Sequence, residues 1–161
     1  MHQEIRLYIY TDAAVRASDR AVVSYLLQYV KDGVDAGSRE DRMVVDGNQK
    51  AATWEAMMDA LARISDGNVI PVSIICHCPG VIQAINQEQY IKWQSNGWKN
   101  SKGSEIEHAE KWERVVKLMN QKTKRFDSGA FGVKAYAPSE QDAEIMKKLG
   151  AKQSDPNINI A

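Results

Sequence analysis

The sequence is poor in cysteine and has no excess of charge of either sign. Its 161 residues include two cysteines, and lysine plus arginine equal aspartate plus glutamate at 21 each. Cys76 and Cys78 are two residues apart, a spacing that does not give an ordinary disulfide on a strand. We therefore expect a reducing, cytoplasmic setting. A balanced charge predicts neither a nucleic-acid nor a membrane partner, so any basic surface has to be local.

Long apolar runs, internal repeats and low-complexity tracts are also missing. No run approaches the roughly 18 apolar residues of a membrane-spanning helix, and the N-terminal Met1 to Glu4 lacks the pattern of a signal peptide. We expect no membrane partner. The length suits one compact domain, which we place at residues 1–150, followed by a C-terminal tail at 151–161. We expect the protein to be a monomer.

The most informative stretch is residues 4–12, an alternating β-branched and aromatic run that ends in a carboxylate. Read as a strand, it directs Ile5, Leu7 and Ile9 to one face and residues 6, 8, 10 and 12 to the other. An acid at the end of a buried central strand costs free energy unless something compensates it. Asp12 therefore either caps a turn or binds a ligand.

Hydrophobic periodicity predicts the remaining elements. Two strands, at 21–30 and about 42–45, are separated by a hairpin connection at 31–38. The later predicted elements are a helix at about 50–64, a buried strand at 69–78 parallel to the first, a helix at 81–92, a helix after a Ser104–Glu107 capping box, a strand at 130–137 and a helix that Ser139 opens and Gly150 ends.

This order of elements, with an acid ending the first strand and another in the first helix, resembles the ribonuclease H family over roughly residues 5–149. The most specific matches are Tyr10-Thr11-Asp12, Thr53-Trp54-Glu55-Ala56-Met57-Met58, Gln89-Tyr90-Ile91-Lys92-Trp93, Gly97-Trp98-Lys99 and Glu110-Lys111-Trp112. The resemblance implies an α/β fold, with a five-stranded mixed sheet in the order 3-2-1-4-5 and helices on both faces.

The resemblance also implies two-metal phosphodiester hydrolysis, in which carboxylates hold two Mg²⁺ or Mn²⁺ ions about 4 Å apart. Asp12 matches the acid that bridges both metals, and Glu55 matches the helix acid beside it. Asp142 matches a late acid that holds the second metal. Asp142 also stands three residues after Ser139, so completing a helix start is its alternative role.

The fourth family acid is replaced here. His77, within Cys76-His77-Cys78, stands where the family has a carboxylate at the end of strand four. A neutral imidazole adds no negative charge and suits Mn²⁺ or Zn²⁺ better than Mg²⁺. A zinc site is disfavoured because alternation puts His77 opposite both cysteines, and no second ligand pair with zinc spacing exists.

Three further departures from the family concern approach to the RNA strand, reading of the hybrid, and product or proton release. The family's glycine-rich segment after the first acid is here Ala13 to Ser18, its paired asparagines are Ala51 and Ala52, and its mobile histidine aligns with Tyr136. Losing side chains that sense the ribose weakens discrimination of RNA from DNA, because the 2′-hydroxyl distinguishes the strands.

A protruding segment matches the family's basic handle, which lies along the nucleic-acid backbone. The resemblance assigns nucleic-acid contacts to five of its residues, Lys92, Trp93, Trp98, Lys99 and Lys102. Lysine and tryptophan together combine phosphate contacts with sugar or base packing. The alternative is structural: the tryptophans pack a helix junction and the lysines form a solvated face.

Three functional hypotheses follow from the sequence. The first is a metal-dependent ribonuclease H that cuts the RNA strand of RNA–DNA hybrids, with Asp12, Glu55, Asp142 and His77 at its centre. The second is a domain of the same fold that has lost hydrolysis and binds nucleic acid or a protein. The third is a nuclease of this fold with another substrate. The fold alone does not choose among them, because function belongs to the site.

Overall fold

The long strand β1, Gln3–Asp12, lies at the centre of a five-stranded sheet in the computed structural model, which describes residues 2–12, 20–46, 49–100, 102–106 and 108–153. The other strands are β2 (Arg20–Lys31), β3 (Val34–Asp46), β4 (Val72–Ile75) and β5 (Val133–Tyr136). The helices are α1 (Gln49–Ala62), α2 (Pro79–Asn86), α3 (Gln89–Ser95), α4 (Ala109–Lys122) and α5 (Ala143–Gln153). Within these ranges no helix is long and apolar enough to cross a bilayer.

The sheet has the strand order β3-β2-β1-β4-β5. Strand β1 pairs antiparallel with β2 and parallel with β4, and β4 pairs parallel with β5. A parallel pair needs a crossover connection, and α1 supplies it between β3 and β4. The mixed sheet and its order, which the family resemblance implied, are confirmed.

The two faces of β1 contact different helices. Leu7 and Ile9 belong to the main hydrophobic core, which includes Trp54 of α1. On the opposite face, Tyr8 packs in a smaller cluster with Met146 of α5. Helices therefore cover both faces, and the predicted alternation of the first strand is confirmed.

The predicted connection between β2 and β3 is wrong. Instead of a long loop and a short strand, β3 has 13 residues and follows a two-residue turn at Asp32 and Gly33. Both turn residues have positive φ, 53° and 80°, as two-residue hairpin turns with the right twist require. Residues 34–40 are all exposed, so this half of the strand lacks the apolar alternation that would reveal it.

Several helix boundaries also differ from the prediction. The helix predicted at 81–92 is two helices, because the chain turns at Glu88, which has a φ of 56°. The Ser104 capping box is wrong, since α4 begins at Ala109 with His108 as its N-cap, and Glu107 lies outside the described residues. Gly150 does not end α5, which continues through residues 151–153 of the expected tail. Residues 154–161 lie outside the described ranges.

Candidate active site

Strand β4 lies parallel to β1 and ends beside Tyr8, four residues before the end of β1. The parallel register pairs Ile5 with Val72 and Tyr8 with Ile75. Asp12 is the last residue of β1, and its side chain lies outside the described part of the structure. The chain leaves β4 at Cys76, whose N–H still donates to Tyr136 O at 3.1 Å. This edge of the sheet is where ligands bind in open α/β sheets.

His77 projects to the face opposite its flanking cysteines, as the alternation predicted. Cys76 is buried in the main core and Cys78 packs against it, whereas His77 is exposed. The ring of Tyr10 meets the imidazole edge to face, with centroids 6.2 Å apart and an interplanar angle of 88°. Both rings line a cavity of about 620 Å³ with residues of α5, among them Lys147.

Glu55 is held in an ion pair that the sequence did not predict. Lys111 Nζ of α4 lies 2.6 Å from Glu55 Oε1 of α1. The neighbouring residues Trp54 and Trp112 fix this geometry, because their rings pack with centroids 4.0 Å apart and both are buried. The one signal in the sequence is that each charged residue adjoins a tryptophan, and that signal does not reveal that the two tryptophans meet.

Asp142 completes the start of the last helix, the alternative role that its spacing from Ser139 suggested. Its Oδ2 accepts from the Ser139 N–H at 2.9 Å and from the Ser139 hydroxyl at 3.0 Å, and the two residues form a capping box. The carboxylate lines a second cavity, of about 310 Å³, with Arg6, Ser73 and Tyr136. His77 lines the first cavity and not this one, and Ser139 borders both.

The second cavity contains an ion pair that sequence reasoning also missed. Arg6 Nε lies 3.1 Å from Glu4 Oε1. Burial alone would raise the pKa of Glu4, but the hydrogen bond and charge of Arg6, together with hydrogen bonds from Ser73 and His2, outweigh burial and lower it. Burial raises the pKa of the adjacent Tyr8, and the negative charge of Asp142 adds to this rise.

The described donors do not by themselves fit a two-ion centre. No three His, Cys, Asp or Glu side chains converge anywhere among those that the structure describes. Glu55 is engaged by Lys111, and Asp142 by Ser139. Two of the three candidate acids are therefore already partnered within the protein, and His77 brings no negative charge.

In the handle segment, residues 89–106, the tryptophans pack against the protein and the lysines are exposed. Trp93 packs edge to face on Trp112 with centroids 5.5 Å apart, and both Trp93 and Trp98 pack against the main core as partly buried residues. Trp98 has a φ of 64°, and its N–H donates to Trp93 O at 2.7 Å. The three predicted contact lysines, Lys92, Lys99 and Lys102, are exposed.

The fold and the arrangement of these elements define a ribonuclease H-like α/β protein, and comparisons with known proteins agree. No protein-family model matches the chain. It is 23% identical over 159 residues to a ribonuclease H of Clostridium botulinum strain Hall, covering 95% of this chain and 99% of that protein. It superposes on the solution structure of the PFV RNase H domain with a TM-score of 0.66 at 14% identity, covering 96% of each chain.

A third similar protein was solved with nucleic acid. LC11-RNase H1 in complex with an RNA/DNA hybrid matches with a TM-score of 0.53 at 12% identity, covering 90% of this chain and 92% of that one. These similarities show that the chain has a ribonuclease H-like fold.

Proposed function

We propose that the chain is a nuclease that hydrolyses the RNA strand of RNA–DNA hybrids, with Mg²⁺ or Mn²⁺ as cofactor. The observation that carries the proposal is the parallel pairing of β1 with β4, together with the contact between His77 and Tyr10, which stands two residues before Asp12. Similarity to the Clostridium botulinum ribonuclease H over almost the whole chain supports the nuclease class. The hybrid bound to the structurally similar LC11-RNase H1 supports the substrate.

The proposed site uses Asp12, Glu55 and Asp142 as acids and His77 in place of the fourth. Tyr10 packs edge to face on the His77 imidazole. Glu55 and Asp142 have partners in the described structure, so both must exchange them before they take part in catalysis.

The proposed nucleic-acid surface consists of the exposed lysines of the handle segment. The packing of Trp93 on Trp112 anchors the base of the segment to α4, so Lys92, Lys99 and Lys102 project from a fixed support. Each lysine that neutralises a phosphate releases counterions, so binding weakens as the salt concentration rises. Each such contact makes the slope of log K against log salt concentration steeper by about 0.9. Replacing Lys99 and Lys102 with alanine should flatten the slope, and an unchanged slope would remove both from the interface.

Replacing Asp12 tests the catalytic proposal. Asp12→Asn should abolish hybrid cleavage and leave the melting temperature unchanged or higher, because the amide keeps the size of the side chain and removes its charge. Asp127→Asn, in an exposed turn before β5, is the matched control and should cleave like the parent. Unchanged cleavage by Asp12→Asn would remove this residue from the mechanism.

A second candidate function is a domain that binds hybrids without cutting them. The pairing of Glu55 with Lys111 and of Asp142 with Ser139 favours it, since both acids are already satisfied by the protein. This function predicts hybrid binding without cleavage in either Mg²⁺ or Mn²⁺, and with equal affinity in Asp12→Asn and the parent.

We also propose a cytoplasmic location and a monomeric state. The location is supported by two free cysteines. Burial raises the pKa of the Cys76 thiol to about 11, so this side chain stays an unreactive thiol at neutral pH.

A further inference from the structure

The ion pair between Glu55 and Lys111 bears on how the candidate site takes up cations. The ammonium and the carboxylate are 2.6 Å apart, and their side chains are 29% and 34% exposed. A charge-assisted hydrogen bond of this length satisfies the acid electrostatically. A cation that approaches Glu55 therefore meets a carboxylate already neutralised by the protein.

The pair is held by packing and not only by its charges. Helices α1 and α4 meet at Trp54 and Trp112, which are 0% and 3% exposed. Trp93 adds a third ring to this contact. Because Glu55 follows Trp54 and Lys111 precedes Trp112, the aromatic contact fixes the two charged residues opposite each other.

We propose that Lys111 is a positioning residue that occupies Glu55 in place of a divalent cation, so that metal binding at this acid requires displacement of the Lys111 ammonium. The proposal deepens the proposed function and rests on it, because it concerns one of the acids assigned to the same site. The positive charge of the Lys111 ammonium also repels an incoming divalent ion. Lys111 thus weakens the affinity of Glu55 for Mg²⁺ and Mn²⁺ in the free protein.

The same helix offers a matched control. Lys122 Nζ lies 2.6 Å from Asp66 Oδ1 near the end of α4. Lys122→Gln removes one positive charge and one ion pair of the same length from the same helix. Asp66 is 81% exposed and belongs to no part of the candidate site.

Titration calorimetry with Mn²⁺, without nucleic acid, tests the proposal. Lys111→Met keeps the length of the side chain and removes its charge, and it should bind Mn²⁺ roughly three- to tenfold more tightly than the parent. Lys111→Arg restores the charge and should return the affinity to that of the parent. Lys122→Gln should also bind like the parent, and adding Glu55→Gln to Lys111→Met should abolish the gain.

Three results would overturn the proposal. Equal affinities of Lys111→Met and the parent would show that Lys111 does not compete with the cation. An equal gain in Lys122→Gln would reduce the effect to net charge. Absence of Mn²⁺ binding in Lys111→Met at millimolar concentration would show that something other than Lys111 keeps cations out. Hybrid cleavage by the parent is measured separately. If Lys111→Met gains Mn²⁺ affinity but the parent never cleaves, the nuclease function is refuted and the role of Lys111 stands.

Discussion

Gly150 of α5 lies against the ring of Tyr10 at the end of β1. A Cβ built on this glycine would stand 3.0 Å from Tyr10 Cζ and 3.2 Å from its hydroxyl oxygen. Tyr10 in turn packs edge to face on His77. The glycine therefore gives the tyrosine room beside the candidate active site, which explains why it stands inside a helix that it was predicted to end.

This contact makes the effect of Gly150→Ala depend on Tyr10. Alanine in place of glycine stabilises a helix interior by about 1 kcal/mol, but here the tyrosine ring must move to admit the methyl group. We expect little net change in the free energy of unfolding in the parent and a gain of about 1 kcal/mol in a Tyr10→Ala background. Urea unfolding of the four proteins measures both values. The same gain in both backgrounds would show that the ring imposes no constraint.

Asn86 at the end of α2 supports β5 at the edge of the sheet. Its Nδ2 donates to Ala135 O at 2.7 Å, and its Oδ1 accepts from the Ala135 N–H at 2.8 Å. We expect Asn86→Asp to destabilise the protein by about 1–3 kcal/mol, because a carboxylate cannot donate to the carbonyl. Gln83→Glu, an exposed change on the same helix, is the control for the added charge. Equal stability of Asn86→Asp and Gln83→Glu would contradict this role.

Because Tyr25 is buried, we predict that the protein loses stability at alkaline pH. Burial, reinforced by its hydrogen bond to Asp59, raises the pKa of Tyr25 to about 12 from an ordinary 10.0. The unfolded chain loses the Tyr25 proton at lower pH than the folded protein does. The stability that protonated Tyr25 gives the folded protein is therefore fully present below about pH 10 and is lost as pH rises toward about 12.

We expect the unfolding free energy of the parent to fall between about pH 9 and about pH 11 by more than that of Tyr25→Phe. Tyr29→Phe, on the same strand but only half-buried, controls for general alkaline effects. Denaturant unfolding at both pH values supplies the comparison. Identical losses in the parent and both variants would leave Tyr25 without a role in this limit.

The sequence predicts the sheet well because β1, β2 and β4 are marked by buried apolar side chains, and α1 by its helical spacing. It fails at β3, whose first half is exposed and polar, and at Gly150, whose position is required by a tyrosine 140 positions earlier in the printed sequence. The candidate site divides in the same way. The strand order brings Tyr10 against His77, but the Lys111 pairing depends on how two helices pack, which local pattern does not encode.

A carboxylate in place of His77 should raise Mg²⁺-dependent activity. His77 is exposed at the end of β4, so His77→Asp adds a carboxylate at the strand end without burying it. We expect Mg²⁺-dependent hybrid cleavage to rise well above that of the parent, which should itself prefer Mn²⁺ because imidazole suits the softer ion. Cleavage rates in each metal, for both proteins, make the comparison. A parent that is as fast in Mg²⁺ as the variant would show that the strand-four acid is dispensable.

We propose that this chain cuts RNA within an RNA–DNA hybrid. The most direct test uses a hybrid with a different label on each strand, incubated with the parent protein in Mn²⁺, alongside duplex DNA and duplex RNA of the same sequence. We predict that the RNA strand of the hybrid is cut internally, that its DNA strand and both duplexes stay intact, and that Asp12→Asn cuts nothing. An intact RNA strand under conditions where the hybrid is bound would contradict the claim, as would equal cutting of the duplexes.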